Sequence, residues 1–332
     1  MELRDKVVVI TGASAGIGRA TMRAFAARGA RVGLIARDGA RLEAARSEAV
    51  ELGVPAVAVS ADVADAQALE AAAERFENEL GPIDVWVNNA MTTVFSRFDA
   101  MTPEEFRRVT EVTYLGTVHG TLAALRRMRL RDRGVIVQVG SALAYRGIPL
   151  QSAYCGAKHA ARGFTDSVRS ELLHDRSAIH VTMVHLPAVN TPQFDWCENR
   201  MSRRAQPVPP IFQPEVAAEA IVWAARHKRR ELYVGWPAVK TILGNKVAPS
   251  IGDRVAARRG WEGQMTEEPE PEVRAGNLFL PVPGNFGAHG RFDARAKPSS
   301  IQLWLSTHRR HLALALSLFA AVSGTALLAN RA

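Results

Sequence analysis

"KVVVITGASAGIG", residues 6–18, runs from a short apolar stretch directly into a glycine-rich turn. The first half reads as a buried strand. The second half reads as the turn that opens a helix. Gly12 suits a tight turn, Gly16 lets backbone N–H groups approach a pyrophosphate, and Gly18 permits close packing of helix on strand. The helix N-terminus behind them adds positive potential. Ser14 and Ile17 lie in the same turn and join the three glycines as candidate phosphate-binding residues. The stretch is also too short and too early in charge for a secretory leader.

Working outward, further strand-like runs follow at 31–36, 56–60, 85–88, 135–140, 179–186 and 231–235, most of them separated by Ala-rich segments of helical length. Val/Ile-rich strands alternating with helices predict a parallel sheet covered on both faces. The expected fold is therefore α/β: a Rossmann-type, doubly wound, seven-stranded parallel sheet with helices on both faces. A helix is expected over 214–228, with proline at its first position and basic "RHKRR" at its close.

The second strand bears on the dinucleotide. An acid at its end would accept from the ribose 2′-OH of NAD. "LIARDGAR" (34–41) places Ala36 there and Arg37 next. An arginine at that place can pair with a 2′-phosphate, so NADP(H) is favoured over NAD(H). Asp38 is the competing reading, an acid one position late.

The chain has 332 residues, 47% hydrophobic and 23% charged, an ordinary globular composition. Its net charge of +9 is spread out, with neither a basic tract nor zinc-finger spacing, which argues against nucleic acid and against a metal site. Two cysteines, Cys155 and Cys197, form no disulfide framework, as expected of a reducing, cytosolic setting.

After residue 236 the pattern changes. "EEPEPE" (267–272) and the Gly/Pro-rich 276–298 predict a loop-rich extension, of which "NLFLPVPGNF" (277–286) is apolar enough to dock on the main domain. "LALALSLFAAVSGTALLA" (312–329) has no charge over 18 residues, a helix of roughly 27 Å. We read it as a C-terminal membrane anchor, with Arg309 and Arg310 keeping the rest cytoplasmic. A buried or subunit-interface helix in a soluble cytoplasmic protein is the alternative. The expected divisions are 1–247 for the dinucleotide-binding domain, 248–307 for the extension and 308–332 for the anchor.

Gly12-x3-Gly16-x-Gly18, Asn88-Asn89-Ala90, Ser141 and Tyr154-x3-Lys158 form one ordered set. In this the chain resembles the short-chain dehydrogenase/reductase family over roughly residues 5–235. The resemblance implies that Tyr154 is the catalytic acid/base and that Ser141 holds the substrate oxygen. It implies that Lys158 binds the nicotinamide ribose and lowers the tyrosine pKa. Asp62 and Val63 would contact adenine, Asn89 and Ala90 would face the cofactor, and Val189 and Thr191 would lie beside the nicotinamide. It also implies a homo-oligomer. The chemistry of the pair is general: a tyrosine with a pKa near about 10 is a poor base at neutral pH unless a cation within about 4–6 Å favours its phenolate.

Three places depart from the family pattern. Met91 stands where a glycine is usual. Thr113, in "EVTYLGT" (111–117), stands where a catalytic asparagine is usual, so it enters the catalytic set with its relay role open. Leu186-Pro187 replaces Pro-Gly, and proline lacks an N–H. The segment 192–212, with Phe194, Trp196, Met201 and Phe212 and with Arg200, Arg203 and Arg204, occupies the place of the substrate loop. The expected function is interconversion of a carbonyl and an alcohol on a small, lipophilic substrate. A dinucleotide-binding scaffold or sensor at the membrane is the alternative, motivated by Thr113 and Leu186-Pro187.

Overall fold

The computed structural model describes residues 1–272 and 274–309. Seven parallel strands form the central sheet: β1 (Val7–Thr11), β2 (Arg31–Ala36), β3 (Ala56–Ser60), β4 (Ile83–Asn88), β5 (Val135–Ser141), β6 (His180–Leu186) and β7 (Glu231–Tyr233). Their order is β3-β2-β1-β4-β5-β6-β7. The order reverses between β1 and β4, so the carboxyl ends of these two strands open the crevice where α/β sheets bind ligands.

Alternation along each strand feeds two cores. Val8 and Ile10 of β1 face one side with Met22 and Phe25 of α1 (Gly16–Ala26). Val7 and Val9 face the other, with Leu69 and Phe76 of α3 (Ala66–Leu80), the helix that follows α2 (Gly39–Glu51) and β3. On that second face lie also α5 (Gly116–Met128) and α6 (Ser152–His174). The first face is completed by α7 (Pro214–Arg226). Both faces being apolar is why the strands read as continuous hydrophobic runs. A π-helical turn, Glu111–Leu115, joins α4 (Pro103–Thr110) to α5.

Two expectations are corrected. α7 ends at Arg226 rather than at 228, because His227 turns extended and its ring stacks on Trp223. The extension is more regular than its composition suggests. Helices cover Gly235–Val247, Pro249–Val255 and Ile301–Thr307. Met265–Pro269, half inside the acidic "EEPEPE", is a strand antiparallel to Arg203–Ala205. Its acids answer the arginines opposite: Glu267 pairs with Arg203 at 3.7 Å, and Glu268 with Arg204 at 3.0 Å. Segment 277–287 docks on the main domain over the crevice. The expected anchor, 312–329, lies outside the described residues. Among the described residues no helix is long and apolar enough to cross a membrane.

Candidate active site

The phosphate-type loop is held by its neighbour strand. Thr11 Oγ1 accepts from the backbone N–H of Asn89 and of Ala90, each at 3.0 Å. Asn89 Nδ2 donates to the carbonyls of Thr11 at 2.9 Å and Gly12 at 3.3 Å. Gly12 has φ +67, and a Cβ on it would come within 2.9 Å of the Ala90 Cα. A Cβ on Gly18 would sit 2.0 Å from the Gly12 carbonyl oxygen, so neither position tolerates a side chain.

This loop forms one wall of the crevice through Gly12, Ser14, Gly16 and Ile17. Arg37, Asp62, Val63, Asn89, Ala90 and Thr191 line it as well, as does the departing Met91. Gly18 packs behind the loop, and Val189 is buried in the core, bridged to Phe212. Sequence reasoning missed Gln193, Asn277 and Pro281 as lining residues. It also assigned Trp196 to the substrate, whereas its side chain belongs to this wall.

At the end of β2 the two readings separate. The Asp38 carboxylate caps α2 by accepting from the Arg41 N–H at 2.9 Å, and it pairs with the Arg41 guanidinium at 3.0 Å. Those bonds engage it on its own helix. Among the described residues the Arg37 guanidinium bonds only uncharged oxygens: the carbonyls of Leu278 at 3.2 Å, Phe279 at 2.8 Å and Asn277. Burial, reinforced by nearby Arg108 and opposed by Asp62, pulls the Arg37 pKa below its usual value. Arginine stays charged nonetheless. Asp62 is itself bonded to Arg108 and caps the Ala64 N–H at 2.9 Å.

Ser141 ends β5, Tyr154 lies in the first turn of α6, and Lys158 follows one turn later. Lys158 Nζ donates to the Val139 carbonyl at 2.7 Å and lies 5.6 Å from the Tyr154 ring centre. Burial lowers its pKa to about 8. The phenol packs against Val94, Val109, Ala153 and Leu278. Its pKa is raised, first by burial, while a hydrogen bond with Ser141 opposes the rise. This reverses the direction expected from the spacing alone: the ammonium is buried and spent on a carbonyl, so its field does not outweigh the loss of water around the phenol. Behind Ser141, whose carbonyl lies 3.1 Å from His185 Nδ1, that buried imidazole is held down to about 4 by its burial.

Thr113 is fully buried in the π-helical turn. Its hydroxyl donates to the Thr92 carbonyl at 2.9 Å and accepts from the Thr92 N–H at 3.1 Å, while its own carbonyl accepts from Thr117 at 3.1 Å. It thus clamps the strand exit after "NNAM" to the helix. The loop after Leu186-Pro187 is held by Asn190, whose Nδ2 donates to Asp293 at 2.8 Å and to Gln213 at 3.0 Å.

The expected substrate lining is largely redistributed. Phe194 packs with Phe95, Cys197 and Ala205, and Phe212 is in the core. Arg200 is paired with Glu105. These arginines tie the loop to the rest of the chain, because their partners Glu105, Glu262 and Glu268 lie outside it. Cys155 and Cys197 are free and buried, with thiols raised by burial to about 11 and about 12, so neither suits a nucleophile.

Residues 6–200 match the short chain dehydrogenase family. An uncharacterized oxidoreductase of Bacillus subtilis (strain 168), YxnA, is 34% identical over 270 residues, covering 81% of this chain and 76% of that protein. The 3-dehydrosphinganine reductase of Danio rerio is 30% identical over 231 residues, covering 67% of this chain and 69% of that protein. Among solved structures, an alcohol dehydrogenase from the archaeon Thermococcus sibiricus complexed with 5-hydroxy-NADP superposes with a TM-score of 0.61 at 28% identity, covering 69% of this chain and 95% of that one.

Proposed function

Because the chain belongs to the short chain dehydrogenase family and is an NAD(P)-dependent oxidoreductase acting on CH–OH groups, we propose that it interconverts a lipophilic ketone or aldehyde and its alcohol with NADP(H), using Tyr154 as proton donor. The observation that carries the reading is the grouping of Ser141, Tyr154 and Lys158; none of the three lines the crevice itself, but Leu278, from the segment whose Asn277 and Pro281 do line it, packs with Tyr154. The crevice residues fit a dinucleotide, since the glycine-rich loop at a helix start, Arg37 and Asp62 line it where the strand order reverses.

When bound, the nicotinamide supplies or takes up hydride. The chain does the rest. Ser141 Oγ donates to the substrate oxygen and orients it. Tyr154, held protonated by burial, gives its Oη proton to that oxygen as negative charge develops there. Lys158, 5.6 Å from the ring, favours the phenolate left behind and offers N–H donors to ribose hydroxyls. Leu278, Val94 and Val109 keep water from the phenol.

NADP(H) is supported by Arg37 at the end of β2 and by the engagement of Asp38 as a helix cap. The NADP-type ligand of the archaeal relative accords with this. The lipophilic substrate is supported by the uncharged run 312–329, read as a membrane tether, and by the Danio rerio relative named for 3-dehydrosphinganine reduction.

A turnover screen with NADPH and a panel of lipophilic ketones and aldehydes tests the reading. Tyr154→Phe should lower kcat by about 10²–10⁴-fold while leaving NADPH affinity within error. Undiminished turnover in that variant removes the assigned role. Saturable NADPH binding without oxidation across the panel would favour a scaffold.

A further inference from the structure

The family match ends at residue 200, yet a strap from beyond it, 277–287, crosses the crevice and lines it through Asn277 and Pro281. The strap is seated at both ends. At one end Leu278 is 2% exposed and packs with Tyr154, and the Asn277 N–H donates to the Trp196 carbonyl at 2.8 Å. Just past the other end Ala288 is 2% exposed and packs with Ala20 of α1 and Ala218 of α7. The bridge between these seats, 279–287, is different in kind. Phe279, Leu280, Pro281, Pro283, Gly284 and Asn285 are all exposed.

The bridge is held down largely by its own carbonyls. The Gly287 carbonyl accepts from the Gly16 N–H at 3.0 Å, and the Phe279 carbonyl from Arg37 at 2.8 Å. Arg37 also bonds the carbonyls of Asn277 and Leu278 at the first seat. The Val282 and Gly284 carbonyls accept from Arg41, the second at 2.7 Å, and Asn285 Oδ1 accepts from Arg19 at 3.1 Å. Phe286 adds a ring contact, meeting Trp196 edge-on at 4.7 Å. The donors engaged in this way include those a dinucleotide needs. The Gly16 N–H belongs to the loop that would cradle a pyrophosphate, and Arg37 would take the 2′-phosphate. Bonds to an ionised phosphate oxygen are roughly twice as strong as bonds to a neutral carbonyl, so the exchange favours the phosphate.

We infer that the strap is an autoinhibitory lid. Its carbonyls stand in for phosphate oxygens at Gly16 and Arg37, and the dinucleotide displaces them. Leu278 and Ala288 stay seated while 279–287 lifts, so the cover over the Tyr154 phenol survives. Gly287, at φ +66, is the pivot beside the second seat. Only molecules with the bridge lifted take up cofactor, so the closed state weakens NADPH and NADH binding by one common factor. The inference rests on the reading that the crevice takes a nicotinamide dinucleotide.

The test titrates full-length wild type, Phe286→Ala and Asn285→Ala with NADPH and with NADH. Both substitutions loosen the bridge without altering Gly16 or Arg37. Each should tighten both Kd values by a common factor of about three- to tenfold. A strap that merely walls the crevice gives the opposite sign. Unchanged or weakened binding in these variants therefore overturns the lid while leaving the dinucleotide reading intact. Wild type that binds neither cofactor removes that reading instead. Chymotrypsin digestion of wild type provides the second measurement, because Phe279, Leu280 and Phe286 lie in the bridge. NADPH should speed cleavage after these residues. Cleavage that NADPH slows or leaves unchanged would sink the inference even if a variant fails to fold.

Discussion

Tyr154 and Lys158 show how burial governs a tuned pair. Both are pushed toward their neutral forms, the phenol upward and the ammonium down to about 8. For Lys158 the folded pKa lies below the ordinary 10.5. Protonation therefore opposes folding below about 8, and this cost fades as pH rises toward the unfolded value. The stability difference between Lys158→Met and wild type should accordingly favour the variant more at pH 7 than at pH 10. Thermal melts of both proteins across that range check it, and a pH-independent difference would mean the ammonium is not desolvated. Arg37 is the second residue whose environment decides its use. Arg37→Ala should weaken NADPH binding by about ten- to a hundredfold, and NADH binding far less. Fluorescence titration with both cofactors reads this directly. Wild type that prefers NADH would refute the assignment. Spacing singled out Tyr154 and Lys158, and the end of the second strand singled out Arg37. The direction of the tyrosine's shift was not, because burial is a property of everything packed around a group.

At the scale of elements, the join between α4 and α5 is where the chain departs most usefully from its family's pattern. The π-helical turn Glu111–Leu115 places Thr113 so that one hydroxyl satisfies both the N–H and the carbonyl of Thr92. Thr113→Val keeps the shape and leaves both Thr92 groups unpaired in a dry site, at a cost of about 1–3 kcal/mol. The melting temperature should fall, and Thr113→Ser should recover most of it. An unchanged melt in Thr113→Val would show that the clamp contributes nothing. The strap is the second informative element. Its apolar character suggested docking, but its contacts to Arg37 and Arg41 are made largely by carbonyl oxygens. A carbonyl has no residue identity, so no motif announces it. The acidic strand Met265–Pro269 was likewise hidden, since its partner Arg203–Ala205 lies some sixty residues earlier.

For the whole molecule, the extension is inseparable from the dinucleotide crevice, because 277–287 walls it and Asn190 ties the loop after β6 to Asp293. A tether at 312–329 would leave that assembly on one side of a membrane. Full-length chain should sediment with membranes and need detergent, whereas residues 1–309 should stay in the supernatant. A full-length chain recovered without detergent would refute the tether. By itself the sequence determined the seven strands, their parallel order of succession and the phosphate-type loop, and it singled out the Ser–Tyr–Lys set. These are carried by short-range patterns: continuous apolar runs, glycines at fixed offsets, an i,i+4 spacing. Only the tertiary structure decided that Asp38 is spent as a cap and that Thr113 is a clamp. It also turned Trp196 to the crevice and closed the crevice with a strap 240 residues beyond Arg37. Those outcomes depend on which distant groups meet and lose water together, and local pattern records neither.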